Sequence, residues 1–315
     1  MYKSFEILVC TLILGTAIIT KYFYKKPFAL IKLAIIFYII VISIILIEAI
    51  IMPDKAWLYK DGTSIKLLAG FYPLINPNTV GYLGGAPALF VFPFLIIEKR
   101  TKMRCGYLII FISGLLVTFF SYSRASIIAL PFTILICLLL LKKYRTFLIS
   151  LVLFSILVVT KFDSLQEFLK RGQRVENIIQ LSTPRVELWK MAYEIGKKEF
   201  IIGNGYGAGF RYNDWTDTGH AHSSIFEIFY NAGLLGLFVW LLMILKLLIF
   251  LFYFHFKNKI QKPFNVLHIS IIGINIYMFF RTFFNSYYVY LDYSFLILAG
   301  TILYCEIVKR NNYIY

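Results

Sequence analysis

The sequence predicts an all-α polytopic membrane protein of about nine transmembrane helices with one large extracytoplasmic helical loop. Three observations carry this. Hydrophobic residues make up 60% of the 315 residues and charged residues 15%, which is more apolar surface than a soluble domain can cover. Apolar runs that approach or exceed the roughly 20 residues needed to cross hydrocarbon recur from one end to the other. Basic residues collect in short connections that alternate along the chain.

The runs are 4–20, 28–51, 79–97, 105–120, 125–141, 146–162, 222–254, 264–284 and 287–308. The first lacks a small-residue cleavage site and is expected to be a retained helix. The 222–254 run is longer than a span needs, so it is expected to begin above the bilayer or to tilt. Lys21, Lys25 and Lys26 form one basic connection, and Lys99, Arg100, Lys102 and Arg104 the next. Lys142, Lys143 and Arg145, then Lys257, Lys259 and Lys262, then Lys309 and Arg310 complete the set. These segments can share one side, which the positive-inside rule makes the cytoplasm. They hold 15 of the 32 Lys and Arg residues, so the net charge of +16 is mostly a topology signal. No nucleic-acid-binding motif accompanies it.

This topology places the N-terminus and the loops 52–78 and 163–221 outside, and the C-terminus inside. The chain then divides into N-terminal helices (1–162), an extracytoplasmic loop (163–221) and C-terminal helices (222–315). Lys32 and Glu48 lie near the two ends of their helix, where snorkelling suffices. Cys10, Cys105, Cys137 and Cys305 all lie inside apolar runs with no CxxC pair, so neither a disulfide framework nor a metal site is expected.

The long outer loop is nearly balanced in charge, so anion binding there depends on a few placed residues. Residues 164–181 carry Leu165, Phe168, Leu169, Val175, Ile178 and Ile179 at a spacing that suits a helix lying on the membrane surface. Ser182-Thr183-Pro184 reads as a helix start, with a hydroxyl cap and proline in the first turn. Arg185 falls in that turn. It either bends back to Glu187 or solvent, or it joins the helix N-terminus in holding a phosphate. Residues 203–209 (Gly-Asn-Gly-Tyr-Gly-Ala-Gly) are expected to form a flexible loop. Their GxGxxA match follows no strand and predicts no nucleotide site.

His220 and His222 close the loop where it meets the next apolar run. With no nearby cysteine or HExxH pattern they are too few for a metal site. They are either interfacial polar residues or a general base, since imidazole is best poised for that near neutral pH. Arg124 and Arg281 each sit at the outer end of an apolar run, where charge is costly and usually functional or paired. Asp292 is the available partner for Arg281.

His222-Ser223, nine residues, then Gly233-Leu234-Leu235-Gly236 resembles the H-[NSQ]-x9-G-x-x-G signature of bacterial O-antigen ligases. Other segments resemble the wider O-antigen ligase/polymerase (Wzy_C-type) family in order. They are Asn76-Pro77-Asn78-Thr79-Val80-Gly81, Ser121-Tyr122-Ser123-Arg124-Ala125, and Thr183-Pro184-Arg185 with Trp189 and Gly203-Asn204-Gly205. The resemblance covers roughly residues 65–245. Members of the family often have more spans than the nine read here.

The resemblance implies a metal-independent, inverting glycosyltransferase without a cofactor on the outer face of the cytoplasmic (inner) membrane. The donor would be a glycan on undecaprenyl diphosphate. The acceptor would be a sugar hydroxyl, on lipid A–core for a ligase or on a second lipid-linked glycan for a polymerase. His222, supported by His220, would be the base. Arg185, Arg124 and Arg281 would bind the diphosphate, because a guanidinium grips phosphate oxygens in a bidentate way. A transporter of lipid-linked sugar is the non-enzymatic alternative. It would place ionisable groups near the bilayer midplane, whereas here they gather at outer helix ends and in one loop.

Overall fold

A computed structural model describes residues 28–59, 66–71, 75–160, 183–205, 221–257, 262–284 and 295–310. In chain order the elements are α1 (Ala29–Ile51), α2 (Pro53–Ala56), β1 (Trp57–Tyr59), β2 (Lys66–Leu68), α3 (Pro77–Ile97), α4 (Thr101–Phe120) and α5 (Arg124–Leu140). They continue with α6 (Tyr144–Thr160), α7 (Thr183–Gly196), α8 (Ser224–Phe256), α9 (Lys262–Thr282) and α10 (Phe295–Arg310). The protein is an all-α polytopic membrane protein. Among the described residues five helices are long and apolar enough to cross a membrane: α1, α3, α4, α8 and, from Phe264, α9. Helix α5 and Tyr144–Ile156 of α6 are shorter apolar helices. The 4–20 run and the expected surface helix at 164–181 lie outside the described residues.

The chain divides into two compact units. One comprises Ala34–Leu181 and Lys262–Tyr277. At its centre stands α3, buried from Val80 to Pro93. Its start follows from its sequence: Asn76 caps the helix by accepting the Thr79 N–H at 2.9 Å, and Pro77 fills the first turn, where no N–H is needed. Helix α4 packs on α3 backbone to backbone. A Cβ on Gly84 would lie 2.7 Å from the Gly114 carbonyl oxygen, so only glycine permits the approach. Buried hydroxyls are bonded, as an apolar interior requires. Thr118 Oγ1 donates to the Gly114 carbonyl at 2.8 Å, the Tyr38 and Tyr82 hydroxyls meet at 2.6 Å, and Tyr277 Oη donates to the Gly81 carbonyl at 3.2 Å.

The 52–78 segment is more than a loop. It holds α2 and an antiparallel hairpin pairing Trp57 with Leu68, Leu58 with Leu67 and Tyr59 with Lys66. Glu48 does not snorkel. It is buried and its carboxylate accepts the Phe71 N–H at 3.1 Å, tying the end of α1 to the segment after the hairpin.

The other unit comprises Met1–Leu33, Ser182–Gln261 and Met278–Tyr315. Here α10 packs on the start of α1, with Gly300 against Ile31 and Phe28 against Tyr304 at 5.2 Å between ring centroids. The long 222–254 run resolves as α8, whose 33 residues would make a rod of roughly 50 Å against a hydrocarbon core of about 30 Å. The excess length is resolved by a break. Gly233, at φ 66° and ψ −167°, divides α8 into an upper half, Ser224–Ala232, and a lower half that is by itself long enough to span.

Candidate functional site

Helix α7 lies on the upper half of α8 through matched aromatic rows. Trp189 stacks on Phe226 at 5.3 Å and 11°, and Tyr193 on Phe229 at 5.8 Å and 21°. The spacing is i, i+4 on α7 and i, i+3 on α8, so one face of each helix meets the other. Ala192, Ala221 and Tyr230 are fully buried between them, with Leu188, Ile195 and Phe226 around.

This packing fixes the turn that precedes α8. Ala221 has both backbone groups held by side chains. Its N–H donates to Glu227 Oε2 at 2.8 Å, and its carbonyl accepts Trp189 Nε1–H at 3.1 Å. Glu227 is itself fully buried in the first turn of α8, where the helix N-terminus favours negative charge. Its other oxygen accepts the Tyr230 hydroxyl at 2.5 Å. His222 follows at φ 52°, a left-handed conformation that costs a non-glycine residue about 1–2 kcal/mol. The clamp on Ala221 stabilises that turn. His222 is half-buried, and Ser223, extended and buried, is the N-cap of α8.

Helix α7 also carries Arg185 in its first turn, half-buried and one turn before Trp189 on the same face. One helix therefore bears both the arginine and the tryptophan that holds the residue before His222. Thr183-Pro184 begins this helix as the sequence predicted. His220 and Asp292 lie outside the described residues. Arg281, in the last turn of α9, is fully buried. Arg124 belongs to the first unit, where it opens α5. Before it, Tyr122 takes φ 51°, and the buried Ser126 hydroxyl donates to Ser123 Oγ at 2.9 Å.

The expected flexible loop at 203–209 is corrected over its first three residues, Gly203 to Gly205, which are bonded into the break in α8. Breaking a helix at Gly233 frees two carbonyls and two N–H groups. The carbonyls of Tyr230 and Asn231 accept the N–H groups of Asn204 (2.9 Å) and Gly205 (2.8 Å). The N–H groups of Leu234 and Leu235 donate to the carbonyls of Phe200 (2.8 Å) and Ile201 (3.1 Å). Asn204 adds its side chain, donating Nδ2–H to the carbonyls of Tyr230 and Ile195. The two backbones cross at van der Waals contact. A Cβ on Gly203 would lie 2.4 Å from Gly233 N, and one on Gly233 would lie 2.3 Å from the Ile201 carbonyl oxygen. Both glycines have positive φ. The paired glycine motifs are thus two halves of one crossing. Glu227 and the break itself escaped the sequence reading, because both lie inside an apolar run.

Substitution at the crossing should therefore be costly. Gly233→Ala combines a left-handed φ with a backbone clash, and should lower the melting temperature of the detergent-purified protein by several degrees or prevent its accumulation. Gly106→Ala is the control. Gly106 lies within α4 with nothing within 4 Å of its would-be Cβ, so the helix-propensity gain of about 0.5–1 kcal/mol should leave the melting temperature unchanged or higher.

No curated protein matches the chain. The Wzy_C family model, described as O-antigen ligase, matches residues 108–241. That stretch contains Arg124, Arg185, Trp189, the His222 turn, Glu227 and both sides of the glycine crossing. Over this region the chain is similar to the O-antigen ligase family.

Proposed function

We propose that the chain is an O-antigen ligase-type glycosyltransferase that moves a glycan from undecaprenyl diphosphate to a sugar hydroxyl, on lipid A–core, at the outer face of the cytoplasmic membrane. The observation that carries the reading is the shared support of Arg185 and His222. Trp189 of α7 holds the Ala221 carbonyl, and Arg185 stands one turn away on the same face. This supports the reading, because a candidate phosphate-binding cation and a candidate base are carried by one packed pair of helices, and a transfer reaction needs its groups held in fixed geometry.

In this mechanism His222 takes the proton of the acceptor hydroxyl. The freed oxygen attacks the anomeric carbon from the face opposite the diphosphate, so the new C–O bond forms as the bond to phosphate breaks and the configuration inverts. The electron pair leaves with undecaprenyl diphosphate, whose added charge is met by Arg185 and Arg124, with Arg281 contributing through its buried guanidinium. Arginine suits that task because its planar fork binds two phosphate oxygens at once. His220 supports His222. No metal or cofactor takes part.

The mechanism is tested on residues. A general base contributes ~10²–10⁴-fold in rate, so His222→Ala should reduce glycan transfer by at least that much in protein that is well expressed and melts normally. Arg185→Lys and Arg124→Lys should restore only part of the activity lost in the alanine variants. Wild-type transfer by a folded His222→Ala protein, or by both lysine variants, would contradict these roles.

Transfer should also persist in excess EDTA. Loss of activity restored by one added divalent ion would replace the metal-free mechanism.

Sidedness gives a further check, since donor and site must share a compartment. A cysteine introduced at Asn213 should react with an impermeant maleimide in intact spheroplasts. Reaction only after lysis would place the 163–221 loop in the cytoplasm and remove both the ligase and the polymerase readings.

A further inference from the structure

We propose that the turn Phe200–Ile202 is a bilayer-inserted lip, seated among lipid acyl chains beside the upper half of α8. The proposal does not depend on which reaction the protein carries out.

The argument begins with a switch in side-chain character along the chain. Lys197, Lys198 and Glu199 form an exposed 3₁₀ turn. The next three residues are equally exposed but apolar: Phe200 46%, Ile201 65% and Ile202 68%. Exposed apolar clusters on a water-facing surface are rare in proteins and mark contact with a partner or a membrane.

The hydrogen bonds of the crossing say which. Leu234 and Leu235 donate to the carbonyls of Phe200 and Ile201, so the turn stands level with the first residues of the lower half of α8. From that level down to Leu245 the exposed side of α8 is apolar (Leu234, Leu235, Phe238, Val239, Leu242 and Leu245), and the exposed Lys246 interrupts it before Ile249. This is the side that a membrane-spanning helix turns to lipid. Above Gly233 the character reverses, and Glu227, Ile228, Phe229, Tyr230 and Asn231 are buried in the protein. The lip is thus continuous with an apolar surface that the bilayer covers.

Non-helical backbone is tolerated at hydrocarbon depth only where its polar groups are satisfied within the protein. The break meets that condition. The carbonyls of Tyr230 and Asn231 and the N–H groups of Leu234 and Leu235 all find partners in the 200–205 segment. The charged residues that precede the turn, Glu194, Lys197 and Lys198, are exposed, with Lys197 paired to Glu194 at 3.2 Å.

Spin-label accessibility tests this in the full chain, with its four cysteines replaced by alanine and the protein reconstituted in phosphatidylcholine vesicles. Nitroxides are placed at Ile202→Cys, at Phe238→Cys as a lipid-facing reference and at Glu194→Cys as a water-facing one. The label at 202 should match that at 238, with collisions favouring oxygen over a water-soluble nickel chelate several-fold relative to the label at 194. A label at 202 that behaves like the one at 194 overturns the proposal. Should the cysteine-free chain misfold, Ile202→Trp in the native background supplies the same comparison. Its added emission should be quenched by acyl-chain-brominated lipid and not by aqueous acrylamide, and the reverse pattern overturns the proposal.

Discussion

The exchange of backbone hydrogen bonds between the 200–205 segment and the broken helix α8 is the interaction on which the rest of the candidate site depends. A span of 33 residues with a break would leave four polar backbone groups unpaired, an arrangement hydrocarbon does not permit. The loop supplies those four partners, and two glycines let the backbones approach closely enough to do so. Once the crossing exists, the upper half of α8 is free to take its own direction. It then offers Phe226, Phe229 and Tyr230 to α7.

The electrostatics build on that packing. A carboxylate buried without partners would be expensive, and Glu227 is accommodated because the Ala221 N–H and the Tyr230 hydroxyl both donate to it. The result is a turn held from two sides, by an acidic residue of α8 and by an indole of α7. His222 is carried in a conformation that its own backbone disfavours. The support of this turn comes from ordinary helix packing.

Much of this was legible in the sequence, and the remainder was hidden for physical reasons. Apolar runs gave the five spanning helices among the described residues, because hydrocarbon thickness imposes one length. Asn76-Pro77 and Thr183-Pro184 announced helix starts because caps and first-turn prolines act locally. The match of family motifs marked Gly233 and Gly203-Asn204-Gly205 without revealing that they touch, since a contact between residues 30 apart leaves no local pattern. The same segment looked flexible because glycine's freedom reads identically whether a loop is loose or must cross another backbone. Glu227 sat unnoticed inside an apolar run. The hairpin at 57–68 has strands of three residues, too short for alternation to register.

The upper half of α8 has a consequence for how this part of the molecule comes apart. It is nine residues long, Ser224–Ala232, and helices below about 12–15 residues are marginal on their own. It keeps its helical form only while α7 and the 200–205 segment are in place, and α7, at 14 residues, is scarcely more self-sufficient. The three pieces therefore melt as one cooperative block, anchored to the lower half of α8 through the crossing. Damage to any one of them removes the arginine and the histidine together, while the spanning half remains in the bilayer.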